Sequence, residues 1–354
     1  MRVGIPYFGY DTLALKGFVE ELGAEVAMPP PTSKRTIALG VKLAPELVCM
    51  PFKITLGNFI EALENGADTL LMAAGARKCR FGYYHHLQEK ALRAMRNDFR
   101  LVPVTQYSAY QFIFKLMPEL FGVNPARVIK AVYHLFEKSA LTRDFRRLLN
   151  QKRAVDFWGA ERLKGKALEL IELARTGTEM KRARKEIFRM FALNGKRPDI
   201  RVGLVGEIFF TIDQAANQEI EKELARLGVE VVFERSLYNH LRHLLRSDFG
   251  YLRSRRLARS YLRECPGGEA IRTVGEAIWF VRQGVDGIVH LFPFTCMPEN
   301  IALEALQRLS DATGVPVLSL SFDEHTSNTG IVTRLEAFVE LLRRRRRARG
   351  LSRN

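Results

Sequence analysis

The sequence predicts an α/β protein in which a helical segment bridges two doubly wound parallel sheets. Three observations carry that reading. Strand and helix patterns alternate through residues 1–106, the alternation gives way to a long amphipathic stretch, and it restarts near Asp199 with echoes of the first pass.

The first unit opens on Arg2-Val3-Gly4-Ile5-Pro6-Tyr7, a short run rich in branched residues that reads as a strand, followed by a helix to about Leu22. Next come a strand at Glu25-Val26-Ala27-Met28, a short helix, a strand at Glu46-Leu47-Val48-Cys49 and a helix over 58–64. The unit ends with a strand at 68–72, a helix over 83–96 and a strand at 100–104. Right-handed crossovers place the C-terminal ends of parallel strands on one edge. Cys49 and the loop bearing Cys79 are expected on that edge.

Residues 107–198 lose the strand signal. Apolar positions at helical spacing, such as Val128, Ile129, Val132, Leu135 and Phe136, mark the bridging segment. The second unit is read as 199–342, with 343–354 as a basic tail. Arg201-Val202-Gly203-Leu204 repeats Arg2-Val3-Gly4-Ile5, and Gln283-Gly284-Val285-Asp286 matches Asn65-Gly66-Ala67-Asp68, the mark of an internal duplication. In its last third Gly287-Ile288-Val289-His290-Leu291-Phe292 reads as a buried strand closed by Pro293. A helix then begins around Pro298 and Glu299, with Ile301, Leu303, Ala305 and Leu306 on its apolar face.

With 354 residues, 47% of them hydrophobic, the chain can bury a sizeable core. It carries no apolar run long enough to span a bilayer, and its N-terminus reads as a strand rather than a signal peptide, so a cytoplasmic protein without a membrane partner is expected. The net charge is +16, of which the last twelve residues hold +7. Solvated helix faces and a frayed tail account for such runs, the other reading being docking to an acidic partner. No zinc-finger, RNP-type or basic-aromatic pattern points to a specific nucleic acid. Neither GxxxxGK[ST] nor GxGxxG occurs, so the chain is not expected to hydrolyse ATP or bind a dinucleotide itself.

The four cysteines do not form a disulfide framework in such a chain. Cys79 lies 11 residues beyond Asp68 and Cys296 lies 10 beyond Asp286, while Cys49 lies 17 before Gly66 and Cys265 lies 19 before Gly284. Two pseudo-equivalent pairs on strand-end loops suit a soft metal, zinc or an iron–sulfur cluster. Zinc sites draw paired, closely spaced ligands, whereas remote ligands from facing sheets suit a cluster held between them. The alternative is four inert core thiols.

Other residues carry two readings each. Gly267-Gly268 before a helix brings backbone N–H groups to a phosphate or cluster sulfide, or simply turns the chain. Glu207 is an acid at the ligand edge or a helix cap. Glu324 and His325, closing a strand in Asp323-Glu324-His325-Thr326, supply a general acid/base, or their loop caps the last helix. His85, His86 and His290, isolated from acids in sequence, read as structural.

Several strings also resemble the 2-hydroxyacyl-CoA dehydratase family, in its dehydratase D-component and CoA-protein activase-related members. They are Pro293-Phe294-Thr295-Cys296-Met297-Pro298-Glu299, the later Asp-Glu-His-Thr, Cys49-Met50-Pro51-Phe52-Lys53 and Lys78-Cys79-Arg80-Phe81-Gly82-Tyr83. The resemblance implies two Rossmann-like domains. It implies an iron–sulfur cluster, of [4Fe-4S] type, on Cys49, Cys79 and Cys296, with Cys265 a fourth ligand, a neighbour or neither. It further implies an ATP-hydrolysing activator, a second dehydratase-like subunit or homodimer, and radical chemistry on an acyl-CoA. The competing expectation is an accessory electron-transfer cluster protein with no CoA-ester substrate.

Overall fold

The computed structural model describes residues 1–74, 79–104, 108–193, 195, 197–245, 247–348 and 350. Lys78, Lys196, the expected boundary at 106 and 107, and Arg349 and Arg353 of the basic tail lie outside the described residues.

The first unit holds β1 (Arg2–Gly4), α1 (Thr12–Glu21), β2 (Glu25–Ala27), α2 (Lys34–Leu43), α3 (Met50–Glu64), β3 (Thr69–Met72), a 3-10 turn (Arg80–Tyr83), α4 (Tyr84–Arg93) and β4 (Arg100–Pro103). The strand-free stretch begins with α5 (Ala109–Gln111), a π turn (Phe112–Leu116) and α6 (Met117–Phe121). It continues with α7 (Pro125–Val155), α8 (Phe157–Leu173) and α9 (Gly177–Met190). The second unit runs β5 (Ile200–Gly206), α10 (Ile208–Ile212), α11 (Ile220–Arg226), β6 (Val229–Phe233), α12 (Leu237–Leu244) and α13 (Phe249–Ala258). It closes with α14 (Ala270–Arg282), β7 (Gly287–Pro293), α15 (Met297–Thr313), β8 (Val317–Phe322) and α16 (Asn328–Ala348).

Both sheets have four parallel strands in the same permuted order, β2-β1-β3-β4 and β6-β5-β7-β8, as expected for doubly wound units. The duplication extends to single hydrogen bonds. Asp68 accepts the Arg2 N–H and Asp286 accepts the Arg201 N–H, each at 2.9 Å, so one carboxylate clips the start of the first strand in each unit. Gly66 and Gly284 precede those loops with φ of +83° and +72°, a left-handed turn that side chains disfavour.

One predicted strand is absent. Residues 46–49 form a loop with Leu47 76% exposed, and the helix expected over 58–64 starts eight residues earlier, at Met50. The cause is Pro51 at its second position, where a missing N–H does no harm, ahead of an apolar run that continues at helical spacing through Ile60. The resulting α3 is buried along almost its whole length. Phe52, Leu56 and Phe59 pack into the core of the first sheet, while Met50 and Ile54 belong to the core of the second.

The bridging helix α7 lies against α1 on one side and against β6, α11 and α12 on the other. It starts on Asn124, whose side chain accepts the Arg127 N–H, with Pro125 at the first position. Its buried Arg146 donates to both oxygens of Glu221, to the Thr211 carbonyl at 2.6 Å and to the Arg235 carbonyl at 3.1 Å, and stacks over Phe233. Side-chain hydrogen bonds also join the units directly: Thr32 donates to Asp213 at 2.7 Å, and Lys53 donates to Glu324 at 2.6 Å.

The arginine run at 343–347 forms the last turns of α16. Arg343 donates to the Leu227 carbonyl at the end of α11, Arg345 to the Gly314 carbonyl at the end of α15, and Arg346 pairs with Asp286 at 2.9 Å. The first two satisfy helix-end carbonyls that have no partner within their own helices. Among the described residues no helix is long and apolar enough to cross a membrane.

Removing one member of a buried ion pair leaves the other uncompensated, so Arg146→Ala is expected to lower the unfolding free energy by about 3–5 kcal/mol. The double variant Arg146→Met/Glu221→Leu should lose less, and denaturant titration of both checks this. Burial raises the Asp213 carboxyl to about 7, against the pull of Thr32 and two backbone N–H groups. The folded form therefore holds its proton over a range in which the unfolded chain has released it, and Asp213 makes stability fall as pH rises from about 4 to about 7, by up to ~1.4 kcal/mol per pH unit. Asp213→Asn should flatten that part of the curve, as read from denaturation midpoints across pH.

Candidate functional site

Cys49 and Cys296 occupy the N-cap positions of α3 and α15, and Cys79 stands just before the 3-10 turn. Both long helices begin Cys-Met-Pro, with proline at the second position fixing where the helix starts and hence where the thiol sits. Cys49 and Cys296 are buried and Cys79 is partly buried.

The three thiols share one electrostatic neighbourhood. Burial pushes the Cys79 thiol up; the Phe81 N–H opposes the rise, and Glu207, Cys49 and Glu269 add to it. Cys296 is pushed much further, by burial first, then by Glu299 and Glu207, with Cys49 contributing. The buried Tyr84 hydroxyl belongs to the same neighbourhood and is also raised, by burial first and then by Cys49 and Glu207. Phe52 and Phe81 pack edge-on against the Tyr84 ring, 5.2 and 5.4 Å between centroids.

Glu207 joins this group from the end of β5. Its Oε2 caps α10, accepting the Phe209 and Phe210 N–H groups at 3.0 and 3.1 Å. Burial raises its carboxyl to about 7; those two bonds oppose the rise, and Glu299 and Glu269 reinforce it. Gly268 belongs here as well. With φ of +48°, it approaches so closely that a Cβ would stand 2.9 Å from Pro298 Cγ and 4.0 Å from Cys79 Sγ. The next residue, Glu269, is held by buried Arg235, which also binds Glu276 at 2.7 Å and Thr273 at 3.2 Å. Gly267, at φ +102°, completes that turn.

The remaining expected site residues lie elsewhere. Cys265 is exposed and is not among the groups that move the other thiols most. Glu324 is clamped to Lys53, one turn along α3 from Cys49; burial pushes its carboxyl up, but Lys53 and a backbone N–H outweigh this and hold it below the usual range. His325 is exposed, and its N–H caps back onto Asp323 at 3.0 Å.

Two groups escaped the sequence reading. Glu299, the third residue of α15, is fully buried and accepts from Thr273 at 3.0 Å. His290, isolated from acids in sequence, bridges Glu299 at 3.0 Å and Ser319 at 3.2 Å. The signal for Glu299 was its place three residues after Cys296, which puts its backbone amide against the sulfur. Nothing local announced His290, whose partner arrives from the next helix.

Among the described residues no three His, Cys, Asp or Glu side chains surround a single ion. A cluster of several irons holds its thiolates further apart than one ion does, and the donor chemistry fits such a group. Three sulfurs and three acids, Glu207, Glu269 and Glu299, act on one another, and none of the groups that most strongly move Cys79 or Cys296 is a cation. A bound metal centre brings the positive charge that ionises coordinating thiols.

Two family models match parts of the chain. The family model described as 2-hydroxyglutaryl-CoA dehydratase, D-component, matches residues 123–342, which take in β5 to β8 and Cys296. The model described as CoA enzyme activase uncharacterised domain matches residues 2–74, which include Cys49. No curated protein matches the chain. With more than half its length matched, the chain belongs to the 2-hydroxyglutaryl-CoA dehydratase D-component family, within the 2-hydroxyacyl-CoA dehydratases.

Proposed function

We propose that this chain is an iron–sulfur component of a 2-hydroxyacyl-CoA dehydratase system, with Cys49, Cys79 and Cys296 as its ligands and an electron supplied by an ATP-hydrolysing activator. What supports this reading is the mutual influence of the three thiols, Glu207 and Tyr84, contributed by helix and strand ends of both units. Bound there, the cluster supplies one-electron chemistry to an acyl-CoA thioester. The protein's own part is to hold the ligands and shape the site. Tyr84 sets its hydroxyl beside the Cys49 sulfur, Gly268 leaves room beside Cys79, and Glu207, with its carboxyl near neutrality, holds or releases a proton beside the thiols. Cys265, exposed, is not needed as a ligand in this reading, and a second dehydratase-like subunit or a second copy completes the assembly.

A second reading is favoured by the activase-type match over residues 2–74: an electron-transfer component that serves a partner and binds no CoA ester itself. Reduced protein examined spectroscopically with and without acyl-CoA separates the two, since a ligand-dependent change arises only in the first.

Anaerobic reconstitution followed by iron and sulfide analysis should load the wild type and Cys265→Ser, while Cys49→Ser, Cys79→Ser and Cys296→Ser each fail to retain a full complement. Iron-free, colourless wild-type protein prepared without oxygen would sink the assignment. Tyr84→Phe, which keeps the ring and removes only the hydroxyl beside Cys49, should weaken cluster retention roughly tenfold against a chelator, in line with lost outer-shell partners at metal sites.

A further inference from the structure

Away from the cysteines, a cleft opens between α1, α7 and the turn joining α8 to α9. It is lined by Ala14, Gly17, Glu20 and Glu21 of α1, by Arg127, His134 and Lys138 of α7, and by Ala174, Arg175 and Met180. Its charges are unevenly matched. Glu20 is paired by Arg175 at 2.8 Å, and Glu21 by Lys130 at 2.8 Å and His134 at 3.3 Å. Arg127 donates to the Glu21 carbonyl at 2.7 Å.

Arg127, which among the described residues meets a carbonyl but no carboxylate, is exposed, whereas Lys138 is in the same position and buried. Only 4% exposed, it donates to the Glu172 carbonyl at 3.2 Å, and among the described residues no carboxylate lies within 4 Å of its ammonium. The Glu172 carboxylate is taken by Lys16 instead. Gly17 leaves the space in front of the ammonium open, for a Cβ there would stand 3.2 Å from Nζ. A buried ammonium has three N–H donors, and one protein acceptor leaves two of them facing the cleft. An unmatched buried charge is unfavourable unless something compensates it.

We propose that this cleft binds a small carboxylate, its oxygens on the Lys138 ammonium and its short alkyl chain against Ala14, Ala174 and Met180. One negative charge balances the one buried cation of the cleft that, among the described residues, lacks a carboxylate partner. A doubly charged phosphate would add an excess charge beside Glu20 and Glu21. Burial first, then Arg175 and Lys16, bring the Lys138 ammonium down to about 8, with Glu20 and Glu172 opposing, so it stays largely charged at neutral pH.

The test is calorimetric titration of the full chain at neutral pH with propionate, with inorganic phosphate as a parallel arm at constant ionic strength. Saturable binding of one propionate per chain is expected, weakened about tenfold or more in Lys138→Met through loss of a charge-assisted bond. Gly17→Ala, whose methyl group crowds the ammonium, should weaken it too, and this variant reads the site independently should Lys138→Met fail to fold. The proposal is overturned by absence of saturable binding, by wild-type affinity in both variants, or by phosphate binding where propionate does not.

Discussion

Three sulfurs and three carboxyl groups stand near one another where none of the strongest influences on Cys79 or Cys296 is positive, and much of the architecture serves to hold them there. Gathering such groups is unfavourable on its own, because each thiolate would be desolvated among acids. The chain manages it through hydrophobic packing rather than through charge. Helix α3 is wedged between the two sheets, with Phe52, Leu56 and Phe59 in one core and Met50 and Ile54 in the other. The N-terminus of that helix is Cys49. Burying α3 therefore delivers a first-unit thiol to the second unit, and Lys53–Glu324, one turn further along, fixes the same helix to the loop after β8.

The strongly basic composition takes on a different meaning once its side chains are located. Arg146 ties α7 to Glu221 and two carbonyls, Arg235 fixes the turn that carries Gly268, and Arg343 and Arg345 close the ends of α11 and α15. A guanidinium offers five donors in a rigid fork and remains charged when buried, which suits it to joining separate elements. A good part of what composition marks as surface charge is thus internal fastening, and the docking reading of the basic runs loses those residues.

Most of the fold was legible because its signals are local. Strand-helix alternation, the repeated Arg-Val-Gly start and the paired aspartates at 68 and 286 foretold two equivalent sheets, and each aspartate makes the same hydrogen bond in its own unit. The start of α3 was misread because Glu46-Leu47-Val48-Cys49 has the composition of a strand, while the decisive feature, Pro51 at the second helical position, lies just downstream and sets the course of residues 50–64. The cysteines and Glu207 could be picked out by their place at strand and helix ends. Tyr84 and His290 could not, because what gives them meaning is a partner brought by another element. Glu324 stood out as an acid at the end of a strand, but its nearest charge is Lys53, 271 residues away along the chain.

The duplication raises a sharper point. By topology Cys49 corresponds to Cys265, each preceding the helix that leads into the third strand of its unit, and Cys79 corresponds to Cys296, each coming after that strand. A symmetric fold would supply four equivalent ligands, yet Cys265 is exposed and three thiols stand near one another. The asymmetry has a steric origin in the approach to α14. There the chain turns through Gly267 and Gly268, both at positive φ, and it is Gly268 that packs between Pro298 and Cys79. A backbone without a side chain lies against Cys79 in the second unit, where Cys49 stands in the first. Arg235, by gripping Glu269, holds that turn in place. Four sulfurs in the sequence thereby become three near one another, the number that the cluster proposed above, with one open coordination position, would need.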